Sequence, residues 1–147
     1  MTVFQNVHPA EKAIVAFASP YPGKIIPVDL DTFDRTLICQ KSAFLCAAKG
    51  VNVGIHLQKK LGAGLFGGEG FIMQRLSGNG IAFVEIDGDL IEYNLKPGQQ
   101  IIVDTGNVAG FEPSVQMDVQ TVSGAKNILF GGEGLFNEIL AKFLGNQ

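Results

Sequence analysis

The most constraining feature of the sequence is a duplication. The hexapeptide Leu-Phe-Gly-Gly-Glu-Gly occupies residues 65–70 and again residues 129–134. A period of roughly 64 residues is too long for most solenoid repeats and suits one small β-sandwich per repeat, so the duplication predicts tandem β-sandwich modules. Further residues repeat around it, and the matched pairs are Gly23 and Gly88, Leu30 and Leu95, Ile38 and Val103, Val51 and Val115, Val53 and Met117, and Ile55 and Val119.

Short β-rich runs separated by turn residues follow one another from residue 13 onward. This pattern is typical of an antiparallel sandwich or barrel, so the predicted fold class is all-β. The predicted strands cover residues 13–18, 24–30, 35–40, 43–48, 51–58, 71–76, 81–86, 91–95 and 100–104.

Individual residues refine several of these strands. Pro27 cannot donate a ladder hydrogen bond, which predicts that residues 24–30 form an edge strand. In residues 51–57 apolar side chains occupy every second position, which predicts one buried face and places His56 on the other face. The Ser-Gly-Asn-Gly link at 77–80 predicts a tight hairpin between its flanking strands, because Asn-Gly suits positive φ angles.

The end of the sequence departs from the β pattern. Apolar residues at 135, 136, 139, 140, 143 and 144 have a helical spacing. Glu138 lies four residues before Lys142, and Gly145 with Asn146 suits a helix C-cap, so a short amphipathic C-terminal helix is predicted. The predicted organisation is the closing hairpin of an incomplete first module at 1–22, a β-sandwich module at 23–87, and a second module at 88–147 that ends in this helix.

Charge and hydropathy narrow the classes of partner. The net charge is −3, the only arginines are Arg35 and Arg75, and the longest basic run is Lys59–Lys60. Nucleic-acid binding depends mainly on clustered Lys and Arg side chains, so nucleic acid is not the expected partner. The sequence has neither a signal-peptide pattern nor a run of about 20 apolar residues, which predicts a cytoplasmic protein without membrane insertion. Apolar residues make up 46% of the chain and charged residues 17%, so we expect part of the apolar surface to contact another subunit.

The residue types that carry catalysis or bind metals are few. His8 and His56 lie on separate segments, whereas a cupin-like metal centre needs several histidines and a carboxylate. Cys39 and Cys46 stand seven residues apart and fall on opposite faces if both lie on strands. We therefore expect two reduced core thiols rather than a disulfide or a nucleophile. No catalytic residue, metal site or cofactor is predicted.

The repeated hexapeptide is the strongest candidate for a specific contact. It lacks the Gly-Lys-Ser/Thr ending of a phosphate-binding loop, and its glutamate would repel a phosphate. Its glycines permit unusual backbone angles or a close approach of two backbones, which predicts a structural turn. Each glutamate is expected to accept backbone hydrogen bonds or to pair with a cation such as Arg75, and Lys60 is a further candidate for polar contacts. The predicted turn residues are Gly67, Gly68, Glu69, Gly70, Gly131, Gly132, Glu133 and Gly134.

Several ordered motifs together resemble a widespread family. They are PYPGKIIPVDL, ICQKSAFLCA, QKKLGAGLFGGEGFIMQRLSGNG, VDTGNVAGFEPSV and LFGGEGLF, and the resemblance covers nearly all of residues 12–136. On these residues the chain is similar to an uncharacterised family whose members include the yeast altered-inheritance-of-mitochondria proteins.

The resemblance implies a fold like that of the Trp RNA-binding attenuation protein. Members of the family carry three β-sandwich modules of the short double-stranded β-helix type per chain and associate as trimers, and this chain is expected to hold two such modules. The resemblance implies no established activity. It implies a structural role for Leu65–Phe71 and Leu129–Phe136.

Three kinds of function are compatible with these observations. The leading hypothesis is a non-enzymatic homo-oligomer, with a trimer as the expected form, that serves as a scaffold or binds a small molecule between modules. The alternatives are an RNA-binding ring, by analogy with the attenuation protein, and a cupin-like enzyme. The two arginines argue against the ring, and the two histidines argue against the enzyme.

Overall fold

The computed structural model describes residues 1–57, 72–121 and 139–145. Within them nearly all regular structure is β-strand, with short 3₁₀ turns at Leu30–Thr32 and Thr105–Asn107. The predicted all-β class is therefore confirmed. The strands are β1 (Gly23–Asp29), β2 (Thr36–Gln40), β3 (Phe44–Ala47), β4 (Val51–Leu57), β5 (Ile72–Gly78), β6 (Ile81–Asp87), β7 (Gln100–Asp104), β8 (Gly110–Phe111), β9 (Val115–Thr121) and β10 (Ile139–Gly145).

The strands form three antiparallel sheets. The first sheet has the order β1-β6-β3, the central sheet β4-β5-β2-β8, and the third sheet β7-β10-β9. Among these pairs, β4 with β5 and β9 with β10 join strands that follow one another among the described strands. The other described pairs join strands that are distant in sequence, so the chain crosses repeatedly from one sheet to another.

The central sheet buries side chains on both of its faces. On β5, Leu76 belongs to one core and Met73 to the other, and both are 0% exposed. Because successive side chains of a strand point to opposite faces, the first sheet covers one face of the central sheet and the third sheet covers the other. The first core contains Val28, Leu30, Leu37, Cys39, Ala43, Leu76, Ala82 and Val84, and the second core contains Ile38, Met73, Val108 and Met117.

β1 lies at the edge of the first sheet, as Pro27 predicts. Pro27 faces Phe83 of β6, and no described strand pairs with the other side of β1. Proline fits this position because it has no N–H group to offer a second neighbour. The strands predicted at 35–40, 43–48, 51–58, 71–76, 81–86 and 100–104 are also confirmed, with boundaries that differ by no more than two residues.

The predicted hairpin around residues 77–80 is wrong. β5 pairs with β2 and β4 in the central sheet, whereas β6 pairs with β1 and β3 in the first sheet. Gly78 and Gly80 have positive φ angles of 115° and 105°. A Cβ atom at Gly78 would lie 2.1 Å from the carbonyl oxygen of Gly50. The glycines therefore allow the chain to cross between two closely packed sheets.

Two other predicted strands do not form in the described structure. Residues 13–18 and 91–95 have β-type sequences, but no strand is present over either range. A strand is stable only when a neighbour satisfies its backbone N–H and C=O groups, and no described strand lies beside these two segments. The module boundaries after residues 22 and 87 stay predictions.

The predicted C-terminal helix is also wrong. Ile139–Gly145 form β10, which lies between β7 and β9 in the middle of the third sheet. Helical spacing of apolar residues is a weak preference, and pairing on both edges satisfies the backbone groups that a helix would satisfy internally. Pairing with distant strands therefore outweighs the local periodicity.

The hairpins β4–β5 and β9–β10 pair in matching registers. Val51 faces Gly78 in the first hairpin, and Val115 faces Gly145 in the second. On this register the sequence Ile-Met-Gln-Arg-Leu-Ser-Gly of β5 aligns with Ile-Leu-Ala-Lys-Phe-Leu-Gly of β10. In the sequence, one copy of the repeated hexapeptide stands between the two strands of each hairpin.

Candidate functional site

The residues predicted to form the repeated turn lie outside the described part of the chain, and so does Lys60. Their structural role and their polar contacts stay predictions. Of the predicted site residues, the structure describes Arg75, which lies on β5 with an exposed side chain. The turn residues concerned are Gly67, Gly68, Glu69, Gly70, Gly131, Gly132, Glu133 and Gly134.

Arg75 lies on the face of the central sheet that carries the second core. It pairs with Gly54 of β4 on one side and with Ile38 of β2 on the other. Met73, two residues earlier on the same face, is fully buried. Gly54 has no side chain, and the nearest heavy atom to a Cβ placed there is 3.9 Å away. Arg75 therefore stands where the covered part of this face meets solvent.

His56 lies on the same face, close to the end of β4. It pairs with Met73 and is half-buried. Its ring makes an edge-to-face contact with Phe111 of β8, with ring centroids 6.5 Å apart and an interplanar angle of 81°. Because β4 and β8 are the two edge strands of the central sheet, the rings meet over the second core from opposite edges.

The position of His56 was only partly predictable. The alternation along β4 correctly places it on the face opposite Val51 and Val53, which pack against the first core. The predicted buried face is confirmed only at these two residues, because Ile55 on the same face is 73% exposed. That face is covered by the third sheet, however, and the sequence carries no direct signal of this. Phe111 has no strand signal at all, because β8 contains only two residues.

The electrostatics of this cluster follow from burial and charge. Burial lowers the pKa of His56 below its ordinary value of 6.5, and the positive charge of Arg75 lowers this pKa further. The imidazole is therefore uncharged at neutral pH and offers one donor and one acceptor nitrogen. Together, His56, Arg75 and Phe111 present a fixed positive charge, a neutral imidazole and an aromatic ring, a set that can hold the carboxylate and the apolar part of a small molecule.

The two cysteines lie away from this cluster. Cys39 is buried in the first core, and burial raises its pKa to about 11. Burial also raises the pKa of Cys46, which is half-buried on β3 in another sheet. Both thiols are free. Cys39 is a core thiol as predicted, whereas Cys46 belongs to neither core, so the prediction is wrong for Cys46. A raised pKa makes each of them a poor nucleophile at neutral pH.

An open depression of about 520 Å³ lies where the central sheet meets the 3₁₀ turn that follows β7. The Gln40 side-chain amide donates to the carbonyl oxygens of Thr105 and Gly106, at 3.4 and 3.1 Å. These bonds tie the third sheet to the central sheet. No three His, Cys, Asp or Glu side chains of the described ranges lie close enough together to hold a metal ion. The described lining residues are Gln40, Lys41, Ser42, Ile72 and Gly106.

Large exposed apolar side chains are concentrated in two segments that belong to no strand. One is the N-terminal arm, residues 1–22, and the other is the segment 88–94. Contiguous exposed apolar patches are typical of interaction surfaces in general. None of the helical turns in the described part of the chain is long and apolar enough to cross a membrane. The exposed residues are Met1, Val3, Phe4, Val7, Ile14, Val15, Phe17 and Tyr21 in the arm, and Leu90, Ile91 and Tyr93 in the segment.

Comparison with known proteins identifies the family. The family model described as mitochondrial biogenesis AIM24 matches residues 1–140, which is nearly the whole chain. A search of curated proteins gave no significant match. The match confirms the family resemblance seen in the sequence motifs. The β-rich protein therefore belongs to the AIM24 family.

Proposed function

We propose that this protein is a non-enzymatic β-sandwich scaffold that acts as a homo-oligomer. The observation that carries the proposal is the apolar exposure of the N-terminal arm and of the segment 88–94, where Ile91 is 75% exposed and Tyr93 63% exposed. Burying such side chains stabilises an assembly by roughly 25 cal/mol for each Å² of apolar surface removed from water. A second subunit is the partner best matched to two extended apolar segments on one chain.

The arrangement of reactive groups supports a role without catalysis. His56 stands on the second face of the central sheet, whereas the Cys39 thiol is buried in the first core on the opposite face. A nucleophile and its base must lie within hydrogen-bond reach of one another, and these two groups do not. This separation argues against a Cys-His catalytic pair and agrees with the proposed scaffold role.

The proposed assembly is a trimer of chains built from tandem modules like those of the Trp RNA-binding attenuation protein. The family resemblance supports this number of subunits. The repeated hexapeptide and the matching registers of the β4–β5 and β9–β10 hairpins support the tandem modules. We place the assembly in the cytoplasm on the basis of the sequence pattern.

Light scattering coupled to size-exclusion chromatography tests the proposal directly. A trimer has three times the 15.7 kDa mass of one chain. The expected result is a stable oligomer whose mass does not change on dilution from high to low micromolar concentration. A chain that stays monomeric over this range contradicts the scaffold proposal.

A second candidate function, the binding of a small carboxylate, is favoured by the cluster of His56, Arg75 and Phe111. Benzoate combines a carboxylate for Arg75 with a ring for Phe111 and is a suitable probe. Its binding should shift the NMR signals of His56, and Arg75→Gln should abolish that shift. Arg35→Gln is the matched control, because it removes the other arginine of the chain. An unchanged His56 spectrum with millimolar benzoate would rule out this second function.

A further inference from the structure

Residues 88–94 are exposed although their sequence is typical of a strand. Ile91 and Tyr93 are both largely exposed to solvent. Leu95, the next residue in the chain, packs against the second core. The segment is therefore anchored at one end on the second core, while the apolar side chains along the rest of it are uncovered.

β1 shows how a segment of this type behaves when it is paired. The sequences Gly-Lys-Ile-Ile-Pro-Val-Asp-Leu at 23–30 and Gly-Asp-Leu-Ile-Glu-Tyr-Asn-Leu at 88–95 align without a gap. Leu30 at the end of the first is fully buried in the first core, as Leu95 packs on the second core. All seven residues of β1 pair with β6. No described strand lies beside residues 88–94 as β6 lies beside β1.

The N-terminal arm carries a sequence like that of β6. Val-Ala-Phe-Ala at 15–18 resembles Ile-Ala-Phe-Val at 81–84 in β6. The two also occupy similar places in the chain, because the arm leads to Gly23 and β6 leads to Gly88. Yet the arm is unpaired, and Ile14 next to this stretch is 94% exposed. One chain thus contains an unpaired β6-like segment and an unpaired β1-like segment.

We infer that residues 15–18 of one copy pair antiparallel with residues 91–94 of a second copy. This inference rests on the proposed homo-oligomer and identifies the contact that holds it together. In β1 and β6, Pro27 faces Phe83. The same register places Phe17 of the arm opposite Glu92 of the second copy.

The side chains on the two faces of the arm fit this register. In β6, Ala82 and Val84 face the first core. Their counterparts in the arm are Ala16 and Ala18, which face the second core of the other copy. Ala16, which faces Tyr93, is an alanine like Ala82, and Ala18 is smaller than Val84, so the arm leaves room for Tyr93 where β1 has the smaller Val28.

The local geometry favours a second copy over the arm of the same chain. Gly23 faces Asp87, and Lys24 forms an ion pair with Asp89, so the arm and the segment leave the first sheet at the same corner. The arm of the same chain nevertheless stays unpaired. Pro20 and Pro22 lack the N–H groups that would extend the ladder past this corner. The arm of another copy does not have to continue this ladder past the corner, so its residues 15–18 can pair with the segment 88–94.

Disulfide trapping tests the partner and the register together. Pro27 lacks an N–H group, so its pair with Phe83 is of the non-hydrogen-bonded type, in which Cα atoms are about 4.5 Å apart and a disulfide can form. Two differently tagged chains, one with Phe17→Cys and one with Glu92→Cys, are refolded together and oxidised, both with Cys46→Ser. The expected product is a crosslinked heterodimer.

The control for trapping pairs Phe17→Cys with Asp104→Cys, an exposed position on β7. This pair should crosslink at least tenfold more slowly. Equal rates for the two pairs would overturn the inference. The inference would also be overturned if a chain that carries both Phe17→Cys and Glu92→Cys forms the crosslink within itself, while the two singly substituted chains form none when mixed.

A charge substitution tests whether the arm holds the assembly together. Ala16 and Ala18 are exposed in the single chain, so Ala16→Asp with Ala18→Asp leaves the folded monomer intact. The expected result is an association at least tenfold weaker than that of the matched control, Ala10→Asp with Ala13→Asp, which adds the same charge outside residues 15–18. If the unsubstituted protein is an oligomer and the double variant assembles equally well, the pairing of residues 15–18 with residues 91–94 is overturned, but the scaffold proposal stands. A native protein that is always monomeric overturns both.

Discussion

Met73 offers the most direct test of the three-sheet arrangement. It lies on the opposite face of β5 from Leu76, and both side chains are 0% exposed. In a simple two-sheet sandwich only one of these faces would be buried. Because the third sheet covers the second face, truncation of either side chain must leave a cavity.

We expect Met73→Ala and Leu76→Ala each to lower the free energy of unfolding by about 2–5 kcal/mol. For a chain of this size, that corresponds to a fall in melting temperature of roughly 5–15 °C. Met73→Leu, which conserves volume, should cost less than about 1.5 kcal/mol. Urea denaturation followed by circular dichroism measures all three differences.

Ile55→Ala is the control for this comparison, because Ile55 lies on the neighbouring strand and is 73% exposed. A substitution at such a surface position should change the free energy of unfolding by no more than about 0.5 kcal/mol. If Met73→Ala costs no more than Ile55→Ala, the second face is not buried. The assignment of a second core would then be wrong.

Three further predictions concern single residues. Gly78→Ala should lower the free energy of unfolding by more than about 2 kcal/mol, measured by urea denaturation, because a Cβ there would lie 2.1 Å from backbone at a φ of 115°. A loss no larger than that of Gly54→Ala would contradict this. The pKa of His56 is lower in the folded chain than its value of 6.5 when unfolded, so stability is complete above pH 6.5 and falls as pH drops towards the folded pKa. His56→Gln should reduce this loss in melting curves between pH 7.5 and 5, and His8→Gln should not. With a pKa of about 11, Cys39 should resist iodoacetamide at pH 7.5 until urea is added, and rapid labelling of the native protein, read by mass spectrometry, would refute its burial.

The β class and most strands were predictable because their signals are local. Pro27 is an example, since the missing N–H group restricts the strand to a sheet edge whatever the rest of the fold. The alternation of Val51 and Val53 is another, because a period of two has one simple explanation. Each of these signals acts within a few residues and does not depend on distant strands.

The errors arose where a distant strand decides the outcome. Ile139–Gly145 have helical spacing, yet β7 and β9 pair with both edges of this strand. The Ser-Gly-Asn-Gly link has the composition of a hairpin turn, but its glycines serve a crossing between two sheets. The ring contact between His56 and Phe111 depends on two edge strands of one sheet. None of these three relations can be derived from local sequence.

The burial of corresponding segments in the two repeats relates the sequence repeat to the proposed assembly. In β2, Leu37 is buried in the first core, whereas its counterpart in the repeat, Ile102 of β7, is exposed. In the same way Val28 of β1 is buried beside β6, whereas Tyr93 is exposed in the segment 88–94. Related segments thus differ in burial according to whether the chain supplies a neighbour. In the proposed assembly a second copy supplies the missing neighbour, so that interface would use the same kind of apolar side-chain packing as the two cores.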